Sequence, residues 1–196
     1  LYADIYTPDG VTRLGPGPVR LASAEITHAL DGPGTASVTL AGPTQRALDL
    51  FQPRREVRVY ADMPSGPARM LGAFIVRDVT RDGDTLQCRG AGVLSLLRDA
   101  ITGLGLAFDA APLSDVIDTL AGLAGFTADI HPTVSATPIS LRFDAATALD
   151  AIRTACQAAG VHFWVDATSP RRVQVGPFGA DSGYRAETVT LGGADL

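Results

Sequence analysis

The 196 residues, 46% hydrophobic and 19% charged, have the composition of a folded chain of one large or two small domains rather than of a disordered one. No apolar run reaches the roughly 18–20 residues that a membrane-crossing helix needs, and no basic start leads into an apolar block as in a secretory leader. The net charge of −5 is uneven, +1 over residues 1–98 (11 Arg, 10 acids) and −6 over residues 99–196 (5 Arg, 11 acids), which argues against nucleic acid as a partner of the second half.

Residues 1–92 read as strands and turns. Tyr2–Thr7 alternates and stops at Pro8-Asp9-Gly10, and Gly15-Pro16-Gly17-Pro18 reads as a loop. A looser strand over Val19–Ala29 is broken by Asp31-Gly32-Pro33-Gly34. Thr35–Ala41 alternates with Ala36, Val38 and Leu40 on one face, and Thr44–Phe51 suits a short helix. Glu56–Ala61 alternates with Val57 and Val59 inward. Phe74–Thr80 and Thr85–Arg89 flank Arg81-Asp82-Gly83-Asp84, whose Asp-Gly pair predicts a type I′ hairpin turn. Short strands with Gly/Pro turns predict a small β-barrel or sandwich, closed by a helical stretch over Val93–Ala100.

Residues 101–178 change to helical periodicity, twice. Leu106-Ala107-Phe108-Asp109-Ala110-Ala111 recurs as Leu141-Arg142-Phe143-Asp144-Ala145-Ala146, and the match continues without a gap to Gly125 and Gly160. Such a repeat predicts two copies of one strand–helix–strand unit, residues 106–130 and 141–165. Asp109 and Asp144 are expected to cap the two helices, and the repeat is to be judged a coincidence if they do not. Val116, Ile117, Leu120 and Leu123 are expected on one helix face; Leu149, Ile152, Ala155, Cys156 and Ala159 on the other. Gly125 and Gly160 are placed as left-handed helix ends. Strands follow at Phe126–Ile130 and Val161–Asp166, and Thr168-Ser169-Pro170-Arg171 turns into a further strand over Arg172–Val175. The two helices are expected to cover one small sheet. Residues 187–191 read as one more strand. The start at Leu1 and the ending Gly192-Gly193-Ala194-Asp195-Leu196 predict a piece of a longer chain.

Few residues carry chemistry. Cys88 and Cys156 are too few for a disulfide framework and read as buried thiols. His28, His131 and His162 lack H-x-x-x-H, H-E-x-x-H or C-x-x-C spacing, so no metal site is predicted. No G-x-S-x-G elbow is present. The prolines of Gly15-Pro16-Gly17-Pro18 remove the N–H donors of a phosphate loop, and Gly103-Leu104-Gly105 lacks the helix of a dinucleotide fingerprint. Of the 21 acids 18 are Asp, placed mostly at turns and helix starts, which favours structural roles over a glycosidase pair. The 16 basic residues are all Arg and Asn is absent, a bias of a GC-rich coding sequence. Trp164 reads as a packing residue or, alternatively, a stacking platform. Arg54-Arg55-Glu56-Val57-Arg58 reads as the solvated start of a strand or as a contact with an acidic neighbouring subunit. No catalytic, cofactor-binding or metal-ligating residue is predicted.

The order of parts nonetheless resembles a family. Asp31-Gly32-Pro33-Gly34-Thr35-Ala36-Ser37-Val38-Thr39-Leu40, Glu56-Val57-Arg58-Val59-Tyr60, Leu71-Gly72-Ala73-Phe74-Ile75-Val76 and Leu86-Gln87-Cys88-Arg89-Gly90-Ala91-Gly92 resemble the opening barrel of phage tail hub proteins. These include baseplate hubs of contractile-tail phages, type VI secretion spike proteins and tail-tip hubs of long-tailed phages. Leu113-Ser114-Asp115-Val116-Ile117 with Gly125-Phe126, and Ala148-Leu149-Asp150-Ala151-Ile152 with Gly160 through Asp166, resemble the α/β insertion of that barrel. The resemblance implies an α+β fold: a small β-barrel over residues 1–100, resumed at about 184–196, with an inserted domain over 101–183. It also implies a non-enzymatic virion component of the phage tail tip or baseplate, without a cofactor, assembled in the host cytoplasm. Three copies would form a ring, two barrel domains per copy matching a hexameric tail tube or distal tail protein to tip, spike or fibre proteins. The second half alone also resembles the periplasmic signalling domains of secretins and receptors. A tail-associated carbohydrate-binding module is the third reading.

Overall fold

The computed structural model describes residues 1–63, 66–177 and 191–192. In chain order its elements are β1 (Tyr2–Tyr6), β2 (Arg13–Arg20), β3 (Ser23–Thr27), β4 (Thr35–Ala41), α1 (Gln45–Leu50), β5 (Glu56–Ala61), β6 (Arg69–Asp82) and β7 (Thr85–Gly92). After a 3₁₀ turn, Val93–Arg98, come β8 (Leu106–Pro112), α2 (Leu113–Gly122), β9 (Thr127–Ile130), α3 (Pro132–Ser135) and β10 (Pro138–Phe143). The last are α4 (Ala148–Ala159), β11 (His162–Val165), β12 (Arg172–Gly176) and β13 (Leu191–Gly192). The fold is α+β. Two compact units divide it: the first holds Leu1–His28, Gly34–Val93 and β13, the second Ala29–Pro33 and the chain from Leu94.

The first unit is one antiparallel eight-stranded sheet in the order β13-β3-β4-β7-β6-β5-β1-β2. Period-2 alternation drives it. Ala3 and Ile5, Ala24 and Ile26, Val38 and Leu40, Val57 and Val59, Phe74 and Val76, Leu86 and Cys88 all enter one core, with Ala47 and Phe51 from α1 and its end. Strands β1 and β3–β7 all feed that single core. α1 begins at Thr44, whose hydroxyl accepts from the Ala47 N–H at 3.2 Å.

Two local expectations are corrected here. Gly15-Pro16-Gly17-Pro18 lies inside β2 rather than in a loop. Among the described residues β2 is an outer strand paired with β1 alone, and an outer strand tolerates prolines because half of its N–H groups need no partner. In the β6–β7 hairpin the two loop residues are Gly83 and Asp84, because Asp82 pairs with Thr85. Gly83 alone has positive φ, at 53°, which is the type II′ pattern, not type I′. The strand expected over 187–191 falls outside the described residues except for Leu191, which with Gly192 forms β13 against β3.

In the second unit the strands form two sheets, not one: β10 antiparallel to β8, and β11-β12-β9 with β9 parallel to β12. The helices pack on each other and on strands of both sheets. Val116, Ile117 and Leu120 of α2 and Leu149, Ile152, Ala155 and Cys156 of α4 are buried as their 3.6-residue stripes require. Two expected members depart from the stripes: Leu123 lies just past the end of α2 and is 45% exposed, and Ala159, the last residue of α4, is half-buried.

Asp109 and Asp144 do not cap the helices. α2 starts after Pro112 and α4 after Thr147, three residues further on in each copy. Thr147 accepts from the Asp150 N–H at 3.1 Å, the ordinary N-cap bond, and donates its hydroxyl to the Asp150 carboxylate at 2.8 Å. The Asp144 carboxylate instead accepts from the Gly105 N–H at 2.7 Å. By the criterion set from the sequence, the match of the two aspartates is therefore a coincidence, and any case for the repeat rests on other features. Other features recur at the same spacing. Ala110 and Ala145 are both left-handed, at φ 45° and 54°. So are Gly125 and Gly160, at 72° and 68°. Gly160 directly follows α4 and Gly125 lies three residues beyond α2, yet the same six-to-one bond recurs past each: Phe126 N–H reaches Ala121 O and Val161 N–H reaches Cys156 O.

Candidate functional site

Each histidine is already engaged. His28 Nε2–H donates to the Leu71 carbonyl at 3.0 Å, beside Gly72, where a Cβ would press on the ring at 3.1 Å. His131 Nδ1 caps α3, accepting from the Thr133 N–H and lying 2.7 Å from its hydroxyl. His162 Nδ1 meets Asp31 Oδ2 at 2.5 Å. Cys88 and Cys156 are free and buried, and burial pushes both thiols up to about 12, with the Asp31 charge adding to the effect at Cys156. A thiol so far above neutral pH holds too little thiolate to act as a nucleophile. Trp164 is buried, its ring edge facing Gly176, and so is a packing residue rather than a platform. Among the described residues no three His, Cys, Asp or Glu are grouped to hold a metal ion, and no helix is long and apolar enough to cross a membrane.

The basic run at Arg54–Arg58 splits into different jobs. Arg55 donates to the Asp49 and Leu50 carbonyls, satisfying the end of α1. Arg58 donates to Glu56 at 2.8 Å and to the Gly10 carbonyl at 2.8 Å, and its guanidinium lies 3.9 Å from the centre of the Tyr6 ring. Glu56 is fully buried, and this charge-assisted bond offsets part of its desolvation. Arg54 is exposed at φ 71°.

Glu56 and Arg58 belong to the face of the sheet that points away from its core. Tyr2 stacks on Tyr60 directly across the β1–β5 pair, ring centres 5.2 Å apart. Tyr6 and Asp4 alternate with them, and Arg13 pairs with Asp4 at 2.5 Å. Burial raises the Tyr60 hydroxyl pKa, with smaller upward contributions from Tyr6 and its neighbours and an opposing one from Arg58. The face thus gathers three of the chain's four tyrosines with paired arginines. Tyr and Arg are the residue types enriched at protein contacts, and the two carboxylates of this face, Asp4 and Glu56, are each held by an arginine, Arg13 and Arg58. Alternation placed Val57 and Val59 inward, which already implied an outward Glu56, Arg58 and Tyr60; the stacking with β1 needed the sheet order. Large apolar side chains are also presented at turns, Leu104 at 85% exposed on the loop that Asp144 ties down, and Val11 at 76% between β1 and β2.

Asp31, read from the sequence as a turn residue, proves to be a junction. Its carboxylate also accepts from the Phe163 N–H at 3.0 Å, and Arg153 donates to its carbonyl. Partners more than a hundred positions away leave no local signal in the sequence.

No protein-family model matches the sequence, and no curated protein matches it. Solved structures do match its fold. A tail protein from Neisseria meningitidis superposes with a TM-score of 0.64 at 12% identity, covering 94% of this chain and 52% of its own. A prophage tail protein from Listeria monocytogenes gives 0.60 at 10% identity, covering 90% and 51%. A component of the Escherichia coli type VI secretion system, itself similar to bacteriophage T4 tail proteins, gives 0.52 at 10% identity, covering 81% and 46%. The chain therefore has the fold of phage tail and type VI secretion proteins, and spans about half the length of these structures.

Proposed function

We propose that the chain is a structural, non-enzymatic component of a phage or phage-like tail tip or baseplate. In this reading three copies form a hub ring that joins a hexameric tail tube, or distal tail protein, to the tip, spike or fibre. The observation that carries it is coverage: the similarity to tail proteins extends over 94% of the chain and so takes in both units, not a single common motif. A secretin-type signalling domain would account for the strand–helix–strand order of the second unit and leave the eight-stranded sheet without a role.

The domain plan follows the same reading. Residues 1–100 form a tube-like barrel domain that resumes at about 184–196, and 101–183 are an insertion built from the repeats 106–130 and 141–165. Support comes from β13, which brings the chain back to pair with β3, and from helix starts at Leu113 and Ala148 with the matching left-handed residues. The aromatic face of β1 and β5 is the surface on which subunit or tube contacts are expected. The place of action is the virion tail, assembled in the bacterial cytoplasm.

The test is the composition of purified particles. Quantitative mass spectrometry is expected to find three copies per tail, and antibody labelling to mark the tail tip. Absence from purified particles, or labelling along the whole tube, contradicts the proposal.

A further inference from the structure

β11 is an outer strand. It pairs with β12 on one side, and no strand pairs with its other side among the described residues. Its sequence context, Val161-His162-Phe163-Trp164-Val165, is β-prone, apolar and without a fixed charge. A segment of this type with an open edge is a template for pairing with another chain. We propose that Asp31 closes this edge and thereby keeps copies of the chain from joining through β11.

The geometry is that of a one-residue substitute strand. The Asp31 N–H donates to the Phe163 carbonyl at 2.8 Å, and the Asp31 carboxylate accepts from the Phe163 N–H at 3.0 Å. Both outward main-chain groups of Phe163 are thus occupied by a single residue. The second carboxylate oxygen holds His162. Asp31 adopts φ 57°, a left-handed conformation that aspartate tolerates better than most residues. Arg153 fixes it there, with Nε and Nη2 on the Asp31 carbonyl at 3.2 and 2.9 Å and Nη1 on Asp150 at 2.7 Å. Pairing stops after one residue because Gly32 turns the chain and Pro33 has no N–H to extend a ladder. A charged side chain at an edge also deters an incoming strand, which would have to strip it of water. Segment Ala29–Pro33 belongs to the second unit, so the guard and the strand it covers lie in one compact body. The inference does not depend on the tail reading.

Hydrogen exchange and light scattering on the whole chain test it. In Asp31→Ala the Phe163 amide is expected to exchange about tenfold faster, the change for one lost hydrogen bond, with the far-ultraviolet circular dichroism unchanged. The variant is also expected to form concentration-dependent, thioflavin-positive assemblies that a native oligomer lacks. Adding Val165→Lys, a charge on the same edge, is expected to suppress them. Asp31→Asn keeps an acceptor for Phe163 and is expected to retain its protection. Unchanged Phe163 exchange in a folded Asp31→Ala, or faster exchange without thioflavin-positive association, overturns the proposal. If Asp31→Ala does not fold, Arg153→Ala decides, since it frees the segment without touching β11. Faster Phe163 exchange there supports the guard, and unchanged exchange refutes it.

Discussion

The first unit buries alternate residues of one long antiparallel sheet, whereas the second buries the stripes of α2 and α4 against strands of two short sheets. Their edges differ as well. β2 protects the edge of the large sheet with its own prolines, a device written within the strand, while β11 depends on a residue 131 positions away. The core strands of the first unit can be read largely from local pattern, while its edge strand β2 and the margins of the second unit require tertiary information.

Core truncation gives the largest effect with which to break this comparison. Phe74→Ala in the sheet is expected to cost about 3–5 kcal/mol, and Leu120→Ala in α2 about 2–5 kcal/mol, by leaving cavities in sites that are 0% exposed. Chemical denaturation gives the magnitudes. Hydrogen exchange is expected to show lost protection concentrated in the unit that carries the change, and equal loss in both units would remove the contrast.

Helix endings come next. Gly125→Ala and Gly160→Ala each force an alanine into the left-handed region and are expected to cost about 1–2 kcal/mol. Equal costs sharpen the case for the repeat, and a cost at only one of them weakens it. Thr147→Ala removes the N-cap bond of α4 and is expected to cost about 1 kcal/mol, measured by thermal unfolding. The smallest effect belongs to Asp109→Ala, expected within about 0.5 kcal/mol because Asp109 sits at an exposed strand position and caps no helix. A cost above 1 kcal/mol there would restore a helix-capping role.

These outcomes trace back to what the residues encode. Thr35–Ala41 is legible to the residue because one face is core and the other is not, and Glu56–Ala61 follows the same alternation except at Glu56, which is buried beside Arg58. The endings at Gly125 and Gly160 were legible because a left-handed turn selects glycine. The caps were misplaced because Asp109 and Asp144 are good capping residues by type, while the strands run on past them and the chain turns at Ala110 and Ala145. β2 was missed because Gly-Pro repeats signal a loop except on a sheet edge, and edge position is a property of the whole sheet. At the candidate surface, alternation set Arg58 and Tyr60 outward, but the Tyr2–Tyr60 stack and the Asp31 junction needed the pairing of distant segments.

The threefold hub proposed above is tested by the absolute mass in solution of the full-length protein, by light scattering after size exclusion, alone and mixed with the tail tube protein. Three times the mass of one chain is expected in at least the mixed sample. A chain that stays monomeric at every concentration and in the presence of the tube protein would contradict it.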